Sequence, residues 1–277
     1  MCLLCAVKSS PWNSRRGFLL AAGAAVAGPA LAQVDVGAPS RMRALVPAQE
    51  LELAATQQYA ELLAQARAKR ALAPESHPQL QRLRAIGRRL IPHARRWNER
   101  AGDWQWEVNL IGNQSINAFC MPGGKIAFFT GILDKLKLSD DETAMVMGHE
   151  MAHALREHAR ARIAKSQGTG VLLSLGAQLF GLGQLGDLAA NVGTQLLSLK
   201  FSRDDEIEAD LVGLELAARA GFVPQASVSL WQKMAEAGDR GGPAFLSTHP
   251  TGPDRIRRLQ ENVPRVRSLY EQAVARR

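Results

Sequence analysis

The stretch from Ser139 to His153, Ser-Asp-Asp-Glu-Thr-Ala-Met-Val-Met-Gly-His-Glu-Met-Ala-His, constrains this chain more than any other. Ser139 and Glu142 have the spacing of a capping box, so a helix is expected to start there. On a helix, residues four apart stand one above the other, which puts His149 and His153 on one face. Two imidazoles so placed can reach one tetrahedral zinc ion. Glu150 follows directly and projects beside them, where a carboxylate can act as general base and take a proton from water.

A catalytic zinc wants a third protein donor and an open fourth place. Ser202-Arg203-Asp204-Asp205-Glu206-Ile207-Glu208-Ala209-Asp210, some fifty residues downstream, opens a second helical pattern carried on by Leu211, Leu214 and Ala218. Glu206 and Asp210 are again four apart. The expected metal ligands are therefore His149, His153 and Glu206, for one Zn2+ per chain. Asp210 is placed to accept the far N–H of a ligating histidine, which fixes the tautomer and makes the ring a better donor. An acidic helix start would also gather Asp and Glu in a first turn. Beside H-E-x-x-H the metal reading takes precedence. His158 falls five residues past His153, off the shared face, and His77 and His93 have no metal spacing; these three read as surface or helix-end histidines.

The N-terminus reads as an address, not as part of the fold. Ser14-Arg15-Arg16-Gly17-Phe18-Leu19-Leu20 is a twin-arginine signature, followed by an apolar run and by Ala30-Leu31-Ala32, an A-x-A cleavage site. Residues 1–32 are expected to be an export signal cleaved after Ala32, which places the mature chain in the periplasm. An uncleaved membrane anchor is the alternative, but the uncharged run is short and rich in Gly and Pro. Without Lys8, Arg15 and Arg16 the formal charge falls from +8 to +5, and no nucleic-acid motif accompanies it, so no nucleic-acid partner is expected. Cys2 and Cys5 leave with the signal, and Cys120 then has no partner in the chain; it reads as a small hydrophobe on a strand.

Residues 33–47 show no period and read as an extended segment, and residues 48–277 as a single domain. Helical spacing runs from Ala48 to Leu72 and again through Leu80, Leu83, Ile86 and Leu90. The second of these carries Arg82, Arg84, Arg88 and Arg89, with Arg95 and Arg96 beyond it. They read as a solvated face or as a contact for anionic lipid, so peripheral membrane contact is possible. Trp104 to Leu110 alternates with period two, and Ser115–Met121 and Lys125–Thr130 flank Pro122-Gly123-Gly124 as a hairpin. Helices, a small sheet, then helices is an α+β order. Residues 166–199 are rich in Gly and Leu, with Asp187 the one charge. They read either as a helical hairpin packed on the catalytic helices or as an apolar flap that meets membrane or unfolded substrate.

Four ordered stretches together resemble the HtpX and CAAX-prenyl-protease family of zinc metallopeptidases. They are Ile116-Asn117-Ala118-Phe119 with Pro122-Gly123-Gly124-Lys125-Ile126, then His149–His153, then Ser202–Asp210, and last Thr248-His249-Pro250 with Arg255. The resemblance covers about residues 80–262 and is nearest the soluble periplasmic BepA- and LoiP-type branch, without C-terminal helical repeats. It implies a mostly helical gluzincin-type domain with a small antiparallel sheet whose edge strand borders the active site. Asn117 and Ala118 would lie on that edge and pair with the main chain of an extended substrate; a plain core hairpin is the other reading. His249 would serve catalysis by stabilising an oxyanion, or would sit on the metal as a removable ligand that holds the enzyme latent. Arg255 would steady the substrate carbonyl or pair with an acid that positions His249. The implied function is cleavage of unfolded or misassembled cell-envelope proteins in quality control. The alternative is a chaperone-like envelope binding protein whose zinc site is blocked by His249.

Overall fold

The computed structural model describes residues 34–167, 196, 199–238, 244–249 and 253–276. The export signal expected at 1–32 lies outside them, as does the Gly-rich segment apart from its ends and Leu196. The described residues form one compact unit. The described elements run α1 (Ala48–Ala68), α2 (Pro78–Leu90), β1 (Glu107–Ile111), β2 (Ala118–Met121), β3 (Lys125–Phe129), α3 (Thr130–Leu136), α4 (Asp140–Leu155), α5 (His158–Gln167), α6 (Arg203–Arg219), α7 (Ala226–Gly238), α8 (Ala244–Thr248) and α9 (Pro253–Ala275). It is a mostly helical α+β fold. None of the described helices is long and apolar enough to cross a membrane.

The capping signals act as expected. Ser139 Oγ accepts the Glu142 N–H at 3.2 Å and Glu142 Oε2 accepts the Ser139 N–H at 2.9 Å, closing the box that starts α4. Ser202 and Asp205 do the same for α6. Glu142 also takes Lys233 Nζ at 2.7 Å and Ser229 Oγ at 2.9 Å, tying α4 to α7. Burial alone would raise its pKa, but Lys233, the Ser139 N–H and Ser229 outweigh that and hold it below the ordinary value. A depressed carboxylate contributes stability that is full above its unfolded pKa of about 4.3 and is lost as pH falls through the folded value. Glu142→Gln is therefore expected to cost about 1–2 kcal/mol at neutral pH. Urea unfolding of the metal-free protein should show that difference shrinking below about pH 4.

Every residue of α4 from Glu142 to Leu155 is buried, as befits a helix with no solvent face. It packs on α6, β2, α7 and α2. Where α4 crosses α6 the backbones touch at two glycines. A Cβ on Gly148 would lie 2.9 Å from the Gly213 carbonyl oxygen, and one on Gly213 would lie 2.7 Å from the His149 nitrogen. That close approach sets His149 beside the face of α6 that carries Glu206 and Asp210.

The sheet order is β1-β3-β2. β2 and β3 form the expected antiparallel hairpin across Gly123 and Gly124, both at positive φ, but β1 joins β3 in parallel, so the sheet is mixed and not wholly antiparallel. Burial explains the order: β3 is buried along Lys125–Phe128 and takes the centre, while β2 exposes part of Phe119 and Cys120 and takes an edge. The outer edge of β1 is covered by the segment after α1, with Ala73 N–H on the Leu110 carbonyl and Gly112 N–H on the Ala71 carbonyl. No described strand pairs with the outer edge of β2.

Two stretches differ from their appearance in the sequence. Two arginines of α2 work as staples: Arg82 bonds the Leu138 carbonyl and pairs with Asp140, and Arg89 bonds the Ala220 and Gly221 carbonyls over the Phe222 ring. Arg88, Arg95 and Arg96 are exposed, as expected of a solvated face. Residues 34–46 hold a 3-10 turn at Arg41–Leu45 and are pinned along their length. The Val34 N–H donates to the buried Glu215 Oε2 at 2.8 Å, Arg156 and Arg160 each donate to carbonyls of the segment, and Arg43 pairs with Glu157 at 2.7 Å.

Candidate metal centre

α4 presents His149, Glu150 and His153, α6 presents Glu206 and Asp210, and the turn after α8 brings in His249. Donor atoms of His149, His153, Glu206 and His249 lie within 4.8 Å of one another, and all four residues are buried. His149 Nε2 is 3.2 Å from His153 Nε2 and 3.3 Å from His249 Nδ1. Glu206 oxygens lie 3.5 Å from His149 Nε2, 3.4 Å from His153 Nε2 and 3.0 Å from His249 Nδ1. A tetrahedron with bonds of 2.0–2.1 Å has edges of about 3.4 Å, so these separations suit a zinc-sized ion.

The charge balance points the same way. Asp210 accepts His149 Nδ1 at 3.0 Å, Trp231 Nε1 at 3.1 Å, and Arg255 Nε and Nη2 at 2.6 and 2.8 Å. Burial works against its charge, but Arg255 and His149 hold its pKa below the ordinary value. Glu206 is likewise held far below the usual carboxylate range, the bonds to His149 and His249 outweighing burial. Burial opposes a charge on His149, yet Asp210 and Glu206 draw its pKa up to about 9. His153 is pushed well down by burial, with the neighbouring histidines adding to it against Glu206. A neutral imidazole, an ionised glutamate and a histidine that seeks positive charge therefore converge on one buried point. A divalent cation meets that demand without a buried proton.

Glu150 stands apart from the donors. Its Oε1 makes no hydrogen bond among the described residues and lies 3.6 Å from His249 Nε2. Burial raises its pKa, countered by His249 and His149. The same cavity is lined by Asn117 and Ala118 of the β2 edge, by Glu150, His153 and His249, and by apolar walls from Leu62, Phe119, Phe129, Leu199 and Phe201. Asn117 Oδ1 accepts the Ala118 N–H at 3.0 Å. Cys120 also lines it, its thiol pushed up by burial and then by Glu150.

His158 stands elsewhere than the sequence suggested, whereas Arg255 meets one of its two readings, pairing with an acid that itself holds His249. Arg255 is turned inward: its guanidinium bonds Asp210, reaches Glu206 Oε2 at 2.8 Å and lies 3.5 Å over the Trp231 ring. It thus backs the donors from behind. His158, read as a surface or helix-end residue, is buried with Nδ1 3.0 Å from His153 Nδ1. His77 does cap a helix end, accepting the Gln79 N–H at the start of α2.

A helix-borne His-Glu-x-x-His completed by a glutamate from a second helix defines a gluzincin-type metallopeptidase site. The chain belongs to peptidase family M48, whose family model matches residues 76–263. It is 40% identical over 165 residues to the mitochondrial metalloendopeptidase OMA1 of Schizosaccharomyces pombe, covering 58% of this chain and 48% of that one. The Arabidopsis thaliana OMA1 is 40% identical over 159 residues, 57% of this chain and 32% of the relative. The Escherichia coli β-barrel assembly-enhancing protease is 27% identical over 208 residues, 70% of this chain and 40% of the relative. The chain spans half or less of the length of these curated relatives.

Proposed function

We propose that this chain is a zinc-dependent endopeptidase that cuts extended stretches of unfolded or misassembled cell-envelope proteins. The observation that carries the reading is the outer edge of β2, which no described strand pairs, beside Glu150 and the donor group in a cavity with apolar walls. An extended peptide laid along Ala118 would pair through its main chain by displacing the Asn117 side chain from the Ala118 N–H, which selects for unfolded segments more than for sequence. Leu62, Phe119, Phe129 and Phe201 would receive its apolar side chains.

His149, His153 and Glu206 would hold the zinc. When bound, zinc polarises the peptide carbonyl and makes water more acidic. Glu150 takes the proton of the attacking water and passes it to the leaving amine. Asp210, steadied by Arg255 and Trp231, keeps the His149 proton on Nδ1 so that Nε2 faces the site. The envelope assignment is supported by the export-type N-terminus and by the Escherichia coli relative, a β-barrel assembly-enhancing protease. The OMA1 relatives are mitochondrial by name, so their setting is a different membrane-bounded one.

The test is cleavage of unfolded casein by the purified protein, with metal content measured on the same sample. About one zinc per chain and chelator-sensitive cleavage would support the reading; a zinc-free protein would remove it.

A second reading, a latent enzyme, is favoured by His249 Nδ1 lying within the donor group. In that state His249 fills the fourth place and closes the site. His249→Ala is then expected to raise casein cleavage severalfold while zinc stays bound. A fall of about 10²–10³-fold would instead give His249 the duty of stabilising the oxyanion.

A further inference from the structure

His158 has no part in the mechanism above, and its placement is built by a local break in the chain. α4 stops at Leu155, and Arg156 and Glu157 form a turn in which Glu157 takes φ +58°. A left-handed glutamate is unfavourable by itself, and it is fixed from outside by Arg43 and Arg160. The turn folds α5 back, so that its first residue, His158, reaches the ring of His153 from behind. The two Nδ1 atoms are 3.0 Å apart and His158 is 4% exposed. Beyond His158 stands Glu208 of α6, with Oε2 3.6 Å from His158 Nε2 and Oε1 taken by Arg156.

We propose that His158 is a positioning residue for the metal centre, accepting the Nδ1 proton of His153 and so aiming His153 Nε2 at the ion. The proposal rests on the zinc reading above. Between two facing Nδ1 atoms one proton suffices, and it must belong to His153 if its Nε2 is to be a bare donor. His158 then carries its own proton on Nε2, which faces Glu208 at 3.6 Å, beyond hydrogen-bond distance, and has no hydrogen-bond partner among the described residues. The site thus gives each histidine ligand of α4 its own rear partner: Asp210, held by Arg255, serves His149, and His158, with Glu208 beyond it, serves His153. Ligating histidines are commonly held this way by carboxylates or carbonyls; here a neutral imidazole takes that place, which adds no further negative charge behind His153.

The test is zinc affinity by chelator competition on the full mature chain. His158→Leu keeps bulk but removes the acceptor, and is expected to weaken zinc binding about 10–100-fold. His158→Asn offers Oδ1 where the imidazole has Nδ1, and is expected to recover most of that loss. Wild-type affinity in His158→Leu overturns the proposal, as does an equal loss in both variants, which would mark a purely structural residue. If His158→Leu does not fold, the nitrogen NMR spectrum of histidine-labelled, zinc-loaded wild type decides. A bare Nδ1 and protonated Nε2 on His158 is the expected tautomer, and a protonated Nδ1 overturns the assignment. A wild type without zinc affinity defeats the metal reading as well; normal affinity with an indifferent His158→Leu defeats this inference alone.

Discussion

Glu150→Gln is expected to lower casein cleavage about 10²–10⁴-fold while leaving zinc content and fold unchanged. Glutamine matches glutamate in size, so the buried site, where Glu150 is 3% exposed, does not have to repack. Glu150 is not one of the four residues whose donor atoms converge, so the metal has no reason to leave. What is lost is the basic oxygen. Oε1 has no hydrogen-bond partner among the described residues and Glu150 lines the cavity beside the donors, and burial raises the carboxylate's proton affinity. These are the attributes of a proton acceptor, not of a structural anchor. The measurement is kcat/KM on an unfolded protein beside metal analysis of both forms. A variant that keeps its rate within tenfold would take the base away from Glu150.

Asp210→Ala is expected to act on stability and on the metal together. Asp210 receives His149, Trp231 and two nitrogens of Arg255, all inside the protein. Truncating it strips a guanidinium that is 4% exposed of its bidentate partner. Breaking a buried pair on one side typically costs about 3–5 kcal/mol. The metal-free variant should therefore unfold at markedly lower urea. His149 also loses the acceptor that fixes its ring, and zinc affinity should fall about 10–100-fold. Asp210→Asn keeps an acceptor of the same shape and should lose less of both. Equal zinc affinity in wild type and Asp210→Ala would show that His149 needs no such support.

The spacing of His149, His153, Glu206 and Asp210 was legible because helical periodicity turns sequence distance into a shared face. What could not be read lay where the periodicity stops. His158 is off the ligand face of an unbroken helix; only the turn at Arg156 and Glu157, which carries no glycine or proline, brings it onto His153. Arg255 was recognisable as a functional candidate, but its inward direction depends on α9 docking against α6, a contact between segments far apart in sequence. Arg82 and Arg89 of α2 show the same limit, since their carbonyl partners come from turns that no local pattern announces. The parallel pairing of β1 with β3 joins segments that no local turn connects, and the hairpin alone does not contain that information.

The most direct test of the central claim is zinc X-ray absorption on the purified, zinc-loaded chain. The account requires a shell of nitrogen and oxygen at about 2.0–2.1 Å with imidazole scattering from at least two histidines, reduced in His153→Ala. A sulfur neighbour near 2.3 Å, or a spectrum unchanged by His153→Ala, would place the metal elsewhere and contradict it.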